Sequence, residues 1–154
     1  MDAAAELYAG SKDWSAFQNA FQSLVETEWE NTYAIMRAKA NAGDVSSSTP
    51  VSIVYGFTVT DPAGFMSAFD KMWNSEVIQN FPGGVYFGQN IAAGTVPGTH
   101  FVTFVADTRG KLTEAIMAMQ NSNDMAAYMQ AVGSSRKVEA INMFSEVQRW
   151  SNGG

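Results

Sequence analysis

His100 is the sole histidine in the chain, and there is no cysteine. Those two counts restrict the chemistry sharply. Without cysteine there are no thiolate nucleophiles, disulfides or Cys-type zinc and iron–sulfur sites. One histidine cannot build a histidine-rich metal site, and no dense Asp/Asn/Gly loop signals calcium, so neither a metal nor a cofactor is expected. His100 opens the stretch "HFVTFVA", whose alternation sets it on the same strand face as Val102 and Phe104. It is the one candidate catalytic residue. In that role it would be a general base toward an enolisable substrate, with Tyr55, Tyr86 or Asn142 as donor. The alternative is a hydrogen-bonded, inert histidine at a sheet edge or core boundary.

Methionine is the next chemistry-bearing type. Met66, Met72, Met117, Met119, Met125, Met129 and Met143 fall in or beside amphipathic stretches. There they serve either as adaptable core packing or as a polarizable lining for a hydrophobic ligand. The Ser-x-Asp triplets at Ser11 and Ser122 read as helix starts: the serine caps an orphan amide and the acid favours the first turn. The glycines of "GVYFGQN" read as a strand bulge, because no helix N-terminus follows them to cradle a phosphate.

Composition bounds the partners. A 46% hydrophobic share supplies a sizeable core, and only 16% of residues are charged, against roughly 25% in typical soluble domains. A net charge of −6 argues against a nucleic-acid partner, since little here would neutralise phosphates. No apolar run approaches the ~18 residues of a membrane span. Met1 is followed by Asp2 and Glu6, unlike a basic-then-apolar signal segment. The chain is expected to be soluble, without contact with membrane and with no compartment indicated.

The elements that must position these residues follow from periodicity. "VSIVYGFTV" from Val51 alternates as a strand. Asp61 and Pro62 then start a helix with Phe65, Phe69, Met72 and Trp73 on one face, running toward Asn80. Strands are expected from Val85 and over His100 to Ala106, then a helix capped by Asp107 or Thr108 and interrupted at Asn121. A second helical piece starts at Ser122 and stops at Gly133, and "KVEAINMFSEVQRW" reads as a closing strand, with "SNGG" as a flexible tail. Strand, helix, strand, strand, helix, strand is an α+β, ferredoxin-like βαββαβ module with an antiparallel sheet and both helices on one face. It is complete over residues 51–150.

"SKDWSAF" at 11–17 recurs as "SNDMAAY" at 122–128, and residues 11–43 lie on 122–154 without a gap. Ser11, Asp13, Ala16, Ala20, Ser23, Glu28, Asn31, Asn41 and Gly43 meet identical residues, where chance gives about two. The expectation is an internal repeat. Residues 1–45 are then a partial copy, the second helix and last strand of a truncated first module. That predicts a sheet strand over about 29–37, with Asn31 and Tyr33 placed like Asn142 and Phe144. The competing pattern is one long helix from Trp14 to Ala40.

The stretches "GTHFVTFVAD" and "NSNDMAAYMQAV" resemble the third-strand and second-helix region of the dimeric α+β barrel superfamily, in its stress-responsive and antibiotic-monooxygenase-like branches. His100 matches a Thr-His pair at the start of that strand. Met125 stands where related polyketide cyclases carry a histidine, and it cannot act as acid or base. The resemblance implies two facing sheets around a cavity, hence a homodimer associating as a barrel. Its expected lining is Tyr55, Phe57, Phe87, His100, Val102, Phe104, Asn142 and Phe144, holding an apolar small molecule, fatty-acid-like or aromatic. Two other functions fit the same fold: a cofactor-independent monooxygenase, isomerase or cyclase using His100, and a purely structural association domain.

Overall fold

Helix starts are set locally. Ser11 Oγ accepts the Trp14 amide at 3.2 Å and begins helix α1, Lys12–Leu24. The rings of Trp14 and Phe17 stack along it at 5.4 Å. The computed structural model describes residues 11–24, 31–40, 45, 49–93 and 97–147. The chain divides into two units, Met1–Glu30, which holds α1, and Asn31–Gly154. The expected tail at 151–154 and parts of the expected partial copy, 1–10, 25–30 and 41–44, lie outside the described residues.

The second unit contains strand β1 (Asn31–Lys39), strand β2 (Val51–Val59), helix α2 (Pro62–Trp73) and the short helix α3 (Glu76–Gln79). Strands β3 (Gly84–Ala93) and β4 (His100–Ala106), helices α4 (Arg109–Gln120) and α5 (Asn123–Val132), and strand β5 (Arg136–Ser145) complete it. The five strands form one antiparallel sheet in the order β1-β3-β4-β2-β5. The last four strands make the ferredoxin-like arrangement, and β1 adds to the outer edge of β3. Residues 31–39 are therefore strand, and the long-helix pattern through Ala40 does not form. An edge strand bonded to β3 satisfies backbone groups that an isolated helix end would leave to solvent.

The caps form as the residue types require. Asp61 Oδ1 accepts the Gly64 amide at 3.1 Å with Pro62 at the first helical position. Thr108 caps α4, and Ser122 Oγ accepts the Met125 amide at 3.1 Å to cap α5. The helix expected to run to Asn80 instead breaks after Trp73. Ser75 Oγ donates to the Met72 carbonyl at 2.7 Å and Asn74 Nδ2 to the Asp70 carbonyl at 2.8 Å, closing α2 before α3 restarts. Local side-chain bonding of this kind competes with helix continuation.

The core lies between the sheet and its helices. Phe65, Ala68, Phe69 and Met72 form the buried stripe of α2, and Phe65 and Phe69 pack on Phe57 and Phe87. Leu112, Phe87 and Ala106 have no exposed surface; full burial of a large apolar side chain contributes about 1.5–3 kcal/mol. On the opposite sheet face Phe101 meets Tyr33 edge-on at 5.4 Å. Gly88 is required there, because a Cβ would stand 2.3 Å from the Phe101 ring and 2.7 Å from the Ala34 carbonyl oxygen. The β1–β3 register shifts at Thr32/Tyr33 and at Ile35/Arg37 on either side of it.

Candidate functional site

A cavity of about 350 Å³ opens between the sheet and the helices beside β5. Its floor comes from strand alternation: Tyr55 and Phe57 of β2, Val102 and Phe104 of β4, and Val85 of β3 all face the helices. β5 reaches the same floor through an irregularity. Tyr55 pairs with Ile141 and Gly56 with Ala140, but Phe57 pairs with Val138, so one β5 residue, Glu139, is extra. The bulge puts Val138 and Ile141, three residues apart, on one cavity wall. The roof is Phe69, Met72 and Trp73 of α2, Ile78 of α3, Met119 and Gln120 at the end of α4, and Met125, Tyr128 and Met129 of α5. Four of the methionines singled out by sequence thus line it. Met117 and Met143 are exposed instead, and Met66 packs against the core.

Among the described residues, one charged side chain, Arg136, lines this largely apolar space. The α5–β5 turn positions it. The Ser135 amide donates to the Val132 carbonyl at 2.9 Å, and the Ser135 carbonyl accepts the Thr60 amide at 2.9 Å, which fixes the first residue of β5 against the end of β2. The guanidinium then lies over the Phe57 ring at 5.5 Å and the Tyr128 ring at 5.3 Å. Such contacts return about 0.5–2 kcal/mol each. The in-plane donors fare worse: Nη2 meets the weak acceptor Met129 Sδ at 3.2 Å, and Nε is buried with no hydrogen-bond partner. An unsatisfied buried donor costs about 1–3 kcal/mol, more when charged. Burial raises the Tyr128 and Tyr55 hydroxyls above the usual phenol value, the Arg136 charge partly opposing this at Tyr128. Both phenols are neutral donors at neutral pH.

His100 sits elsewhere. It pairs with Phe57 across β2–β4 and with Gln89 across β3–β4, and its ring stacks on Phe87 at 5.7 Å and on Phe57 at 6.3 Å. Nδ1 lies 2.8 Å from the Thr99 hydroxyl. Desolvation pushes its pKa below the ordinary histidine value, so the ring is neutral at pH 7. His100 is not on the cavity wall, and among the described residues it forms no ion pair.

The eight residues expected to line one site are therefore divided. The expected site was a cavity between two facing sheets, whereas the strand pairings turn Tyr55, Phe57, Phe87, His100, Val102 and Phe104 toward the helices. Tyr55, Phe57, Val102 and Phe104 are on the wall of the sheet–helix cavity, and Phe87 is buried in the adjoining aromatic cluster with His100. Asn142 pairs with Val54 and Phe144 with Ser52, so both project from the sheet face opposite Tyr55 and Phe57. Tyr86, considered as a donor to His100, shares that opposite face by alternation with Phe87. Arg136 was missed by sequence reasoning. Its neighbours Ser135 and Lys137 make it look like part of a solvated basic pair, and no local signal marks its insertion between two rings. Among the described residues no group of three or more His, Cys, Asp or Glu side chains is placed to hold a metal ion, and no helix is long and apolar enough to cross a membrane.

An α+β sheet of ferredoxin-like topology with a cavity under its helices defines the class. No protein-family profile and no curated protein matches the sequence. Among solved structures, a protein provisionally called a monooxygenase from Lactobacillus acidophilus NCFM is similar over 96% of this chain, with a TM-score of 0.53 and 13% identity. The chain spans 66% of that protein's length. An anthrone oxidase-like protein aligns over 96% of this chain and 70% of its own, with a TM-score of 0.39 and 13% identity. A major regulator of staphylococcal pathogenesis aligns over 79% of this chain and 70% of its own, at 0.42 and 11%. The first likeness supports the fold alone, and the other two carry no argument.

Proposed function

We propose that the protein reversibly binds an apolar small molecule in the cavity between the sheet and helices α2, α4 and α5. The observation that carries this reading is the cavity itself: about 350 Å³, walled almost entirely by aromatic, aliphatic and methionine side chains. Small-molecule sites occupy roughly 300–1,000 Å³ and combine an apolar body with a few polar groups. Methionine side chains let such a wall adapt to the shape of its occupant. The His100-based enzymatic alternative has less behind it. A general base must reach the proton it takes, and this imidazole is packed among Phe57, Phe65 and Phe87 away from the cavity wall. Likeness at 13% identity to a protein provisionally called a monooxygenase supplies no reaction.

The test is fluorescence of N-phenyl-1-naphthylamine titrated with the native protein, Phe104→Asp and Ile141→Asp. The native protein should enhance and blue-shift the probe. Both variants should lose that response, because each puts an unpaired charge against an apolar occupant. Ile141 is half exposed at the cavity's edge, so its variant should keep the fold. If folded variants bind the probe as well as the native protein does, the cavity is not the site and the structural-association function replaces this one.

A self-association reading has its own observation. On the sheet face away from the helices, Tyr33, Ile35 and Phe144 are about half exposed or more. Large apolar side chains grouped on one face favour a cover, and a second copy of this chain, in a closed two-fold barrel, fits that need.

A further inference from the structure

The cation on the cavity wall narrows the class of occupant. We infer that the cavity takes an amphipathic monocarboxylate, whose carboxylate pairs with Arg136 and whose apolar part lies among Met72, Trp73, Met119 and Ile141. This rests on the reading of the cavity as a small-molecule site. Among the described residues, Arg136 is the one charged side chain on a wall that is otherwise apolar or neutral. Its guanidinium lies over the rings of Phe57 and Tyr128, which leave its N–H groups without a charged acceptor. Those groups are under-used: Nε has no acceptor, and Nη2 has only a thioether. A carboxylate fills that vacancy in kind, since its two oxygens match the planar fork of a guanidinium. A neutral occupant leaves Nε unpaired. A dianion brings one charge more than a single arginine neutralises, in a space lined by no other cation among the described residues.

Decanoate and 1-decanol, matched in chain length and differing in the head group, separate the two layers of the argument. Isothermal titration of the full chain at pH 7.5 should show decanoate binding at least tenfold tighter than 1-decanol. In Arg136→Met, decanoate should lose at least tenfold in affinity and its preference over 1-decanol should vanish. A merely structural arginine would instead weaken both ligands together. Equal affinities in the native protein, or a carboxylate preference that survives Arg136→Met, overturns the anchor while leaving the apolar site standing. Failure of both ligands to bind the native protein overturns the site as well. If circular dichroism shows Arg136→Met unfolded, the native protein's ranking of decanoate against 1-decanol and methyl decanoate decides, with no preference for the free acid counting against the proposal.

Discussion

Replacing Phe57 by alanine tests the sheet–helix layer where core, cavity and cation meet. Phe57 is only 1% exposed, and a Phe→Ala change in such a position costs about 3–5 kcal/mol. Its particular contacts place the expectation within that range. The ring packs on Phe65 at 5.3 Å and lies under the Arg136 guanidinium at 5.5 Å; aromatic pairs add about 0.5–1.5 kcal/mol beyond area and a cation over a ring about 0.5–2. Against that, one side of the ring already borders a cavity, so fewer packing contacts are lost there than in a closed core. These effects set the expected loss at about 4 kcal/mol. At roughly 2–4 °C per kcal/mol for a domain of this size, the midpoint should fall by about 8–16 °C. Urea denaturation followed by circular dichroism measures it, with an unchanged m-value showing that the denatured state is not the cause. Ile141→Ala, at the cavity's edge and half exposed, is the control and should cost less than about 1.5 kcal/mol. A loss for Phe57→Ala no larger than the control's would refute the packing described for this layer.

Two further outcomes are expected. His100 has a pKa below its unfolded value because burial disfavours the imidazolium, so the unfolded chain binds its proton more readily. Stability should therefore decline as pH falls through about 6.5 and level off below the folded pKa. His100→Asn should flatten that part of the profile relative to the native protein, and parallel profiles from pH 7.5 to 5 would count against a buried neutral ring. Light scattering at micromolar concentration should give twice 16.7 kDa, and Tyr33→Asp with Phe144→Asp should reduce it to the monomer without unfolding. A native monomer under those conditions removes the self-association reading.

Much of the architecture was legible in the sequence because its signals are local. Alternation over Val51–Val59 and His100–Ala106, the Asp61-Pro62 start, and the Ser122 cap each depend on residues within a turn or a strand pair, and each forms as its chemistry requires. Even the strand at 31–39 was readable, through its likeness to a stretch 111 residues away. The continuation of α2 to Asn80 was misread because the side chains of Ser75 and Asn74 bond to carbonyls of its last turn, a local competition that the apolar period does not show.

The site depended on contacts no local pattern encodes. Along β5 both alternating sets carry apolar residues, Ile141 and Met143 against Asn142 and Phe144. Periodicity therefore could not say which set faces the helices, and the register with β2 decides. The bulge beside Phe57 then returns Val138 to the cavity side. His100 shares strand parity with Val102 and Phe104, yet its place at the end of β4 carries it into the aromatic cluster instead of the cavity. Arg136 is the strongest case. Its sequence neighbours indicate a solvated charge, whereas rings from β2 and α5, separated from each other by 71 positions along the chain, converge on its guanidinium beside an apolar space. Only the closing of the sheet against its helices brings those rings together, which is why the cation in the cavity belongs to the tertiary structure and not to any segment of the sequence.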